Sequence, residues 1–164
     1  MAISTTTHLN FRGDARAALE FYRSVFGGRL TAIAYGDFGM PTELPDADKI
    51  VFGQVTSENG FRIMAYDVPA RLSWNPGEIP MFVSLRGNEV EEITGYWQKL
   101  AADATILQPL APAGWSPLYG MLRDRFGITW VLDVEVAYAS ACPPSTPLRF
   151  HDLVQPRLCG GADD

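Results

Sequence analysis

Displaced by 74 positions, this chain falls on itself without a gap from Leu9 to Ile33. Leu9 and Phe11 meet Val83 and Leu85, Arg12-Gly13 meets Arg86-Gly87, and Asp14 meets Asn88. Leu19, Tyr22 and Phe26 then meet Ile93, Tyr96 and Leu100. A displacement of 67 covers the remainder, bringing Phe52-Gly53 onto Tyr119-Gly120 and Gly60 onto Gly127. Two copies at such a period mean a duplicated module and not a solenoid. The first copy has the longer central loop.

Each copy reads alike. Residues 6–12 alternate Leu9 and Phe11 with His8 and Asn10, the period-two pattern of a strand with one buried face. Asp14 is placed to cap a helix with the stripe Ala18, Leu19, Tyr22, Val25 and Phe26, ended by Gly27-Gly28. In the second copy Asn88 and Glu91 form a capping-box pattern, and Glu89, Glu91 and Glu92 suit the positive end of a helix striped by Ile93, Trp97 and Leu100. Further strands are expected at 30–35, 50–56 and 61–66, then at 104–110, 118–123 and 128–136. The sum is βαβββ twice, an α+β chain. Module one spans 5–68, a Pro/Gly-rich linker 69–79, module two 80–136 and a C-terminal extension 137–164. The segment 36–49, with Asp46-Ala47-Asp48, reads as a solvated loop in preference to a cation site. The extension carries Phe150, Leu153, Val154 and Leu158 among prolines, as an arm for the body or a partner subunit would.

Composition narrows the function classes. A net charge of −6 argues against nucleic acid, which requires a basic face, and suits neutral or cationic small ligands. No apolar run approaches a membrane span and no secretory signal is apparent, so a cytoplasmic protein is expected. Cys142 and Cys159 are then expected to be reduced. Walker, dinucleotide and nucleophile-elbow motifs are absent.

The run Leu9-Asn10-Phe11, Ala18-Leu19-Glu20-Phe21-Tyr22 and Val25-Phe26-Gly27-Gly28 resembles the opening of PhnB-like proteins. So do Gln108-Pro109, Trp115, Tyr119-Gly120, Asp124, Phe126-Gly127 and Trp130. These belong to the glyoxalase/bleomycin-resistance/dioxygenase, or vicinal oxygen chelate, superfamily. The resemblance implies that tandem βαβββ modules form a curved eight-stranded cup, within a chain or across a homodimer. In the family's metalloenzymes four strand positions supply His, Gln or Glu to one divalent ion. Those positions carry Thr6, Met64, Pro80 and Val131 in this chain. None is of the expected type, so neither metal nor any other cofactor is expected.

Strand parity puts His8, Asn10, Arg62, Tyr66, Phe82, Ser84, Arg86, Thr129 and Asp133 on the cup side with Met64 and Val131. Phe52 and Gln54 stand where relatives of this branch carry polar residues. Trp115 and Tyr119 are expected at an edge of the cleft, and Trp97 and Trp130 in core or interface. The expected ligand contacts are therefore His8, Asn10, Phe52, Gln54, Met64, Phe82, Ser84, Trp115 and Tyr119. Arg62 and Arg86 either bind an anionic group or form a salt bridge, for which Asp133 is the available acid. The leading expectation is a metal-independent, homodimeric small-molecule binder that sequesters an antibiotic or metabolite. An isomerase or cyclase with His8 as general base is the alternative. A metal-dependent lyase or dioxygenase is the third reading.

Overall fold

The computed structural model describes residues 5–136. The extension 137–164, with Cys142, His151 and Cys159, lies outside the described residues. The described residues form two compact units, 5–83 with Phe126–Ile128, and 84–125 with 129–136.

In the first, β1 (Thr7–Phe11) leads into α1 (Ala15–Phe26), then β2 (Arg29–Ala34), β3 (Ile50–Thr56) and β4 (Arg62–Asp67). The sheet order is β1-β4-β3-β2, with β1 and β4 parallel and the other pairs antiparallel. The parallel pair requires a crossover, which α1 supplies. Helix α1 buries Ala15, Ala18, Leu19, Tyr22, Val25 and Phe26 against the sheet face bearing Leu9, Val55, Ile63 and Ala65. The approach is close at Gly53, where a Cβ would collide with Leu19 Cδ1 and stand 2.9 Å from the Ala65 carbonyl oxygen. That contact explains the glycine at this point of the repeat.

The second unit repeats the plan. Strand β5 (Phe82–Gly87), helix α2 (Val90–Leu100) and strands β6 (Thr105–Ala113), β7 (Ser116–Arg123) and β8 (Thr129–Val134) give a sheet of order β5-β8-β7-β6. Buried Ile93, Leu100, Leu122, Trp130 and Leu132 form its core. The indole of Trp97 lies over Gly120, the repeat partner of Gly53, where a Cβ would stand 2.7 Å from Cζ3. Buried Trp130 donates its indole N–H to Asp124 at 2.9 Å, and Gly127 (φ +83°) makes the turn between them. The α+β architecture is thus the one the repeat predicts, with eight strands among the described residues in two mixed four-stranded sheets.

The helix starts differ from expectation. Asp14 does occupy the N-cap position of α1, but its side chain makes no capping bond. Asp67, at the end of β4, does so instead: its Oδ1 accepts from Gly13 N at 2.6 Å and Ala15 N at 3.1 Å. For α2 the N-cap is Glu89, again without a side-chain bond, so the Asn88/Glu91 box does not form. Strand β6 runs on to Ala113, past the expected end at 110, through three irregularities in its register with β7. Pro109 and Pro112 lie in it and cannot donate to a ladder, which suits an edge strand.

The 36–49 segment is more built than a solvated loop. A 3-10 turn spans Gly36–Phe38, and Asp46 and Ala47 are buried. Asp46 accepts from Lys49 Nζ at 2.7 Å and from Ala70 N at 3.0 Å. Those bonds hold the Asp46 carboxyl below its ordinary value, and the shared bond raises Lys49. Tyr35 donates to the Asp67 carbonyl at 3.0 Å, and burial raises its phenol above the usual range. The 69–79 linker is likewise tied down, by Arg12 Nη2 donating to the Leu72 carbonyl at 2.6 Å. No described helix is long and apolar enough to cross a membrane.

Candidate functional site

The face of the first sheet turned away from α1 gathers five of the expected contact residues. Register fixes this placement, because cross-strand partners project to the same side. His8 pairs with Met64, Met64 with Gln54, and Gln54 with Thr31, giving one row across all four strands. Beside it, Asn10 pairs with Tyr66, and Phe52 with Ile33. Leu9 and Phe11 point the other way into the core, whereas His8 and Asn10 are exposed. The imidazole of His8 meets the Tyr66 ring edge-on, with centroids 5.4 Å apart. Gln54 Nε2 donates to Thr56 Oγ1 at 2.7 Å, so the amide is already oriented within the face. Phe52 leaves 36% of its surface open. The face mixes Ile33, Phe52, Met64 and Tyr66 with polar His8, Asn10, Thr31 and Gln54, so it offers apolar contact and directional hydrogen bonds together.

Of the remaining four candidates, Phe82, Ser84 and Tyr119 lie on strands of the second sheet and Trp115 in the turn before β7. Trp115 and Tyr119 contact each other edge-to-face at 5.3 Å, with Trp115 half exposed. Tyr119 pairs across the ladder with Asp133. Phe82 and Ser84 are exposed on β5, an edge strand that β8 separates from β7, the strand of Tyr119. They do not join that aromatic pair in one cluster. Of the two readings of Arg86, the salt bridge is the one found. Its Nε and Nη2 bind the carboxylate of buried Asp133 at 2.9 and 2.8 Å, and Nη1 lies 3.5 Å from Glu135. Asp133 thereby serves the guanidinium. Sequence pattern could name that acid but could not choose between the two roles.

The positions at which the metalloenzymes hold their ion can be tested on donor chemistry. Met64 sits between His8 and Gln54, so the first sheet offers one imidazole, a thioether and an amide. Val131 pairs with Met121, and that row continues to Gln108. Thr6 and Pro80 precede their strands. A divalent ion that selects imidazole and carboxylate donors does not fit such residues. Among the described residues, no three His, Cys, Asp or Glu side chains form a group able to hold a metal.

A model of the Glyoxalase/Bleomycin resistance protein/Dioxygenase superfamily matches residues 6–132. The chain belongs to that superfamily. Among solved structures of this glyoxalase-like fold, protein PA1353 from Pseudomonas aeruginosa is 28% identical with a TM-score of 0.73, over 82% of this chain and 98% of its own. A Bacillus cereus protein described as a putative 3-demethylubiquinone-9 3-methyltransferase, PhnB protein, is also 28% identical, with a TM-score of 0.59 over 81% of this chain and all of its own. Hypothetical protein SA1046 from S. aureus shares the fold at 16% identity and a TM-score of 0.55. No curated protein matches the chain significantly. The superfamily thus has PhnB-like members among the structural neighbours of this chain.

Proposed function

We propose that this superfamily member is a metal-independent small-molecule-binding protein that sequesters an antibiotic or metabolite. The observation that carries the reading is the open face of the first sheet. There His8, Met64 and Gln54 stand in one cross-strand row beside Asn10, Tyr66 and Phe52. Aromatic and thioether groups give a polarisable floor, and the imidazole and amides give a few directional bonds. Thioether and valine at two of the four metal positions favour binding without an ion. The working form in this reading is a homodimer with no cofactor.

Isotope-labelled Met64 methyl and His8 ring resonances, followed by NMR during titration with bleomycin and with an aromatic fragment library, test the reading. Binding predicts saturable shifts at both residues and recovery of the compound chemically unchanged. Turnover of a bound compound, abolished by His8→Ala, would transfer support to acid–base catalysis by His8. One stoichiometric, tightly held transition metal in the purified protein would overturn the metal-independent reading. Sedimentation at micromolar concentration checks the dimer, and a monomer mass refutes it.

A further inference from the structure

The turn between β3 and β4 carries a residue that its backbone does not require. Ser57, Glu58, Asn59 and Gly60 lead from one strand to the other, with Gly60 at φ +92°. The matching turn of the second copy has Gly127 at φ +83°, with Phe126 in the place of Asn59. The turn thus demands the glycine and not the asparagine before it. Of the four asparagines in the chain, Asn10 precedes Phe11, Asn75 precedes Pro76 and Asn88 precedes Glu89. Asn59 alone precedes a glycine, whose backbone nitrogen is not shielded by a side chain.

The Asn59 carboxamide is held in place. Its Oδ1 accepts from Phe61 N at 3.1 Å and from the Ser57 hydroxyl. The first of these bonds makes an Asx turn, which folds the side-chain carbonyl over the peptide that follows, here Asn59–Gly60. Gly60 N donates to the Ser57 carbonyl at 3.2 Å, near the long end of the range for such bonds. Residues 58–60 are exposed, and beyond the chain neighbours no heavy atom lies within 4 Å of where a Gly60 Cβ would stand. Water therefore reaches the turn. A carbonyl that takes two donors is polarised, and the same donors stabilise the negative charge that attack at Cγ puts on Oδ1.

We propose that Asn59 is a self-modification site, at which the Gly60 nitrogen closes a succinimide on the Asn59 side chain. The bond from that nitrogen to Cγ forms and the Cγ–Nδ2 bond breaks. The proton lost from the Gly60 nitrogen leaves with Nδ2 as ammonia. Water then adds to either imide carbonyl, giving aspartate or the β-linked isoaspartate. No oxidant or reductant takes part. The Ser57 hydroxyl and Phe61 N–H are the oxyanion donors of the closure, and the held carboxamide supplies the proximity. The β-linked product adds one carbon to the main chain between β3 and β4. It does so next to Phe61, whose ring stacks on Phe26 of α1 with centroids 3.8 Å apart. Modification therefore acts where the sheet is fastened to the helix.

The test keeps the full chain for weeks at mildly alkaline pH, either folded or unfolded in guanidinium chloride. Tandem mass spectrometry with isoaspartate-sensitive fragmentation follows the peptide that spans Asn59. The expected result is conversion at Asn59 ahead of the other three asparagines, and faster in the folded chain than in the unfolded one. The rate should rise with pH, because the attacking nitrogen must lose its proton. Ser57→Ala removes one oxyanion donor and should slow the folded chain at least about threefold. It should leave the unfolded rate unchanged, with thermal melts confirming that the variant folds. A folded chain that keeps Asn59 intact while the unfolded chain converts it would mean that the turn protects the residue, and the inference falls. Equal folded rates for Ser57→Ala and the parent overturn it as well.

Discussion

Asp67 Oδ1 accepts the backbone N–H of Gly13 at 2.6 Å, across 54 residues of chain, and so fixes where β1 turns into α1. The same oxygen takes Ala15 N, and Oδ2 takes Ile50 N at 2.9 Å, at the start of β3. One buried carboxylate therefore serves three backbone donors on two segments. Replacement by alanine strands the buried Ala15 and Ile50 donors and removes the part-buried Gly13 bond, and each unsatisfied buried donor costs about 1–3 kcal/mol. Asp67→Ala should lose at least about 3 kcal/mol in urea unfolding, and Asp67→Asn, which keeps one oxygen, about 1–3 kcal/mol. A loss below about 0.5 kcal/mol for Asp67→Ala would show that water replaces the carboxylate.

The equivalence of Gly53 and Gly120 in the repeat has a steric meaning that can be measured. An added methyl at Gly53 meets Leu19 Cδ1 and the Ala65 carbonyl, and at Gly120 it meets Trp97 and the Leu110 backbone. Gly53→Ala and Gly120→Ala should each cost about 1–3 kcal/mol, as overpacked cores do. Leu19→Ala in the Gly53→Ala background should then cost less than it does alone, since the two changes share one space. Strict additivity of the melting data would refute the contact.

This contrast shows what could be read from residues alone. Alternation in β1 assigned Leu9 and Phe11 to the core and His8 and Asn10 to the open face, because a half-buried strand writes its faces locally. The His8–Met64–Gln54 row followed from such parities once register was known. Helix starts were less legible. Asp14 and Asn88 have capping chemistry, but the acceptor that serves α1 comes from β4, and no local pattern encodes a partner 52 residues away. The same holds for Asp46, whose partner Ala70 is in the linker.

The acid limb of stability should involve Asp46. Its carboxyl is held below the ordinary 3.8, first by the Lys49 hydrogen bond and then by the Ala70 N–H. A folded-state value below the unfolded one gives stability that is present above 3.8 and lost as pH falls through the depressed value. Urea midpoints taken from pH 6 downward should fall less steeply for Asp46→Asn than for the parent protein. Parallel profiles would remove Asp46 from the acid transition.

The Arg86–Asp133 pair poses a sharper question, because buried ion pairs are costly to break and often dispensable as pairs. Asp133 is 7% exposed, while the Arg86 side chain is 48% exposed, so water already screens one partner. Arg86→Met leaves the carboxylate buried without its two-point donor. Its cost should be about 1–3 kcal/mol, below the full buried-pair penalty because of that screening. The double change Arg86→Met with Asp133→Leu removes the stranded charge and should be more stable than Arg86→Met alone. A double-mutant cycle from urea unfolding measures the coupling directly. If the double variant is the less stable, Asp133 holds β8 through contacts other than the guanidinium, and the pair is not the unit that matters on this face.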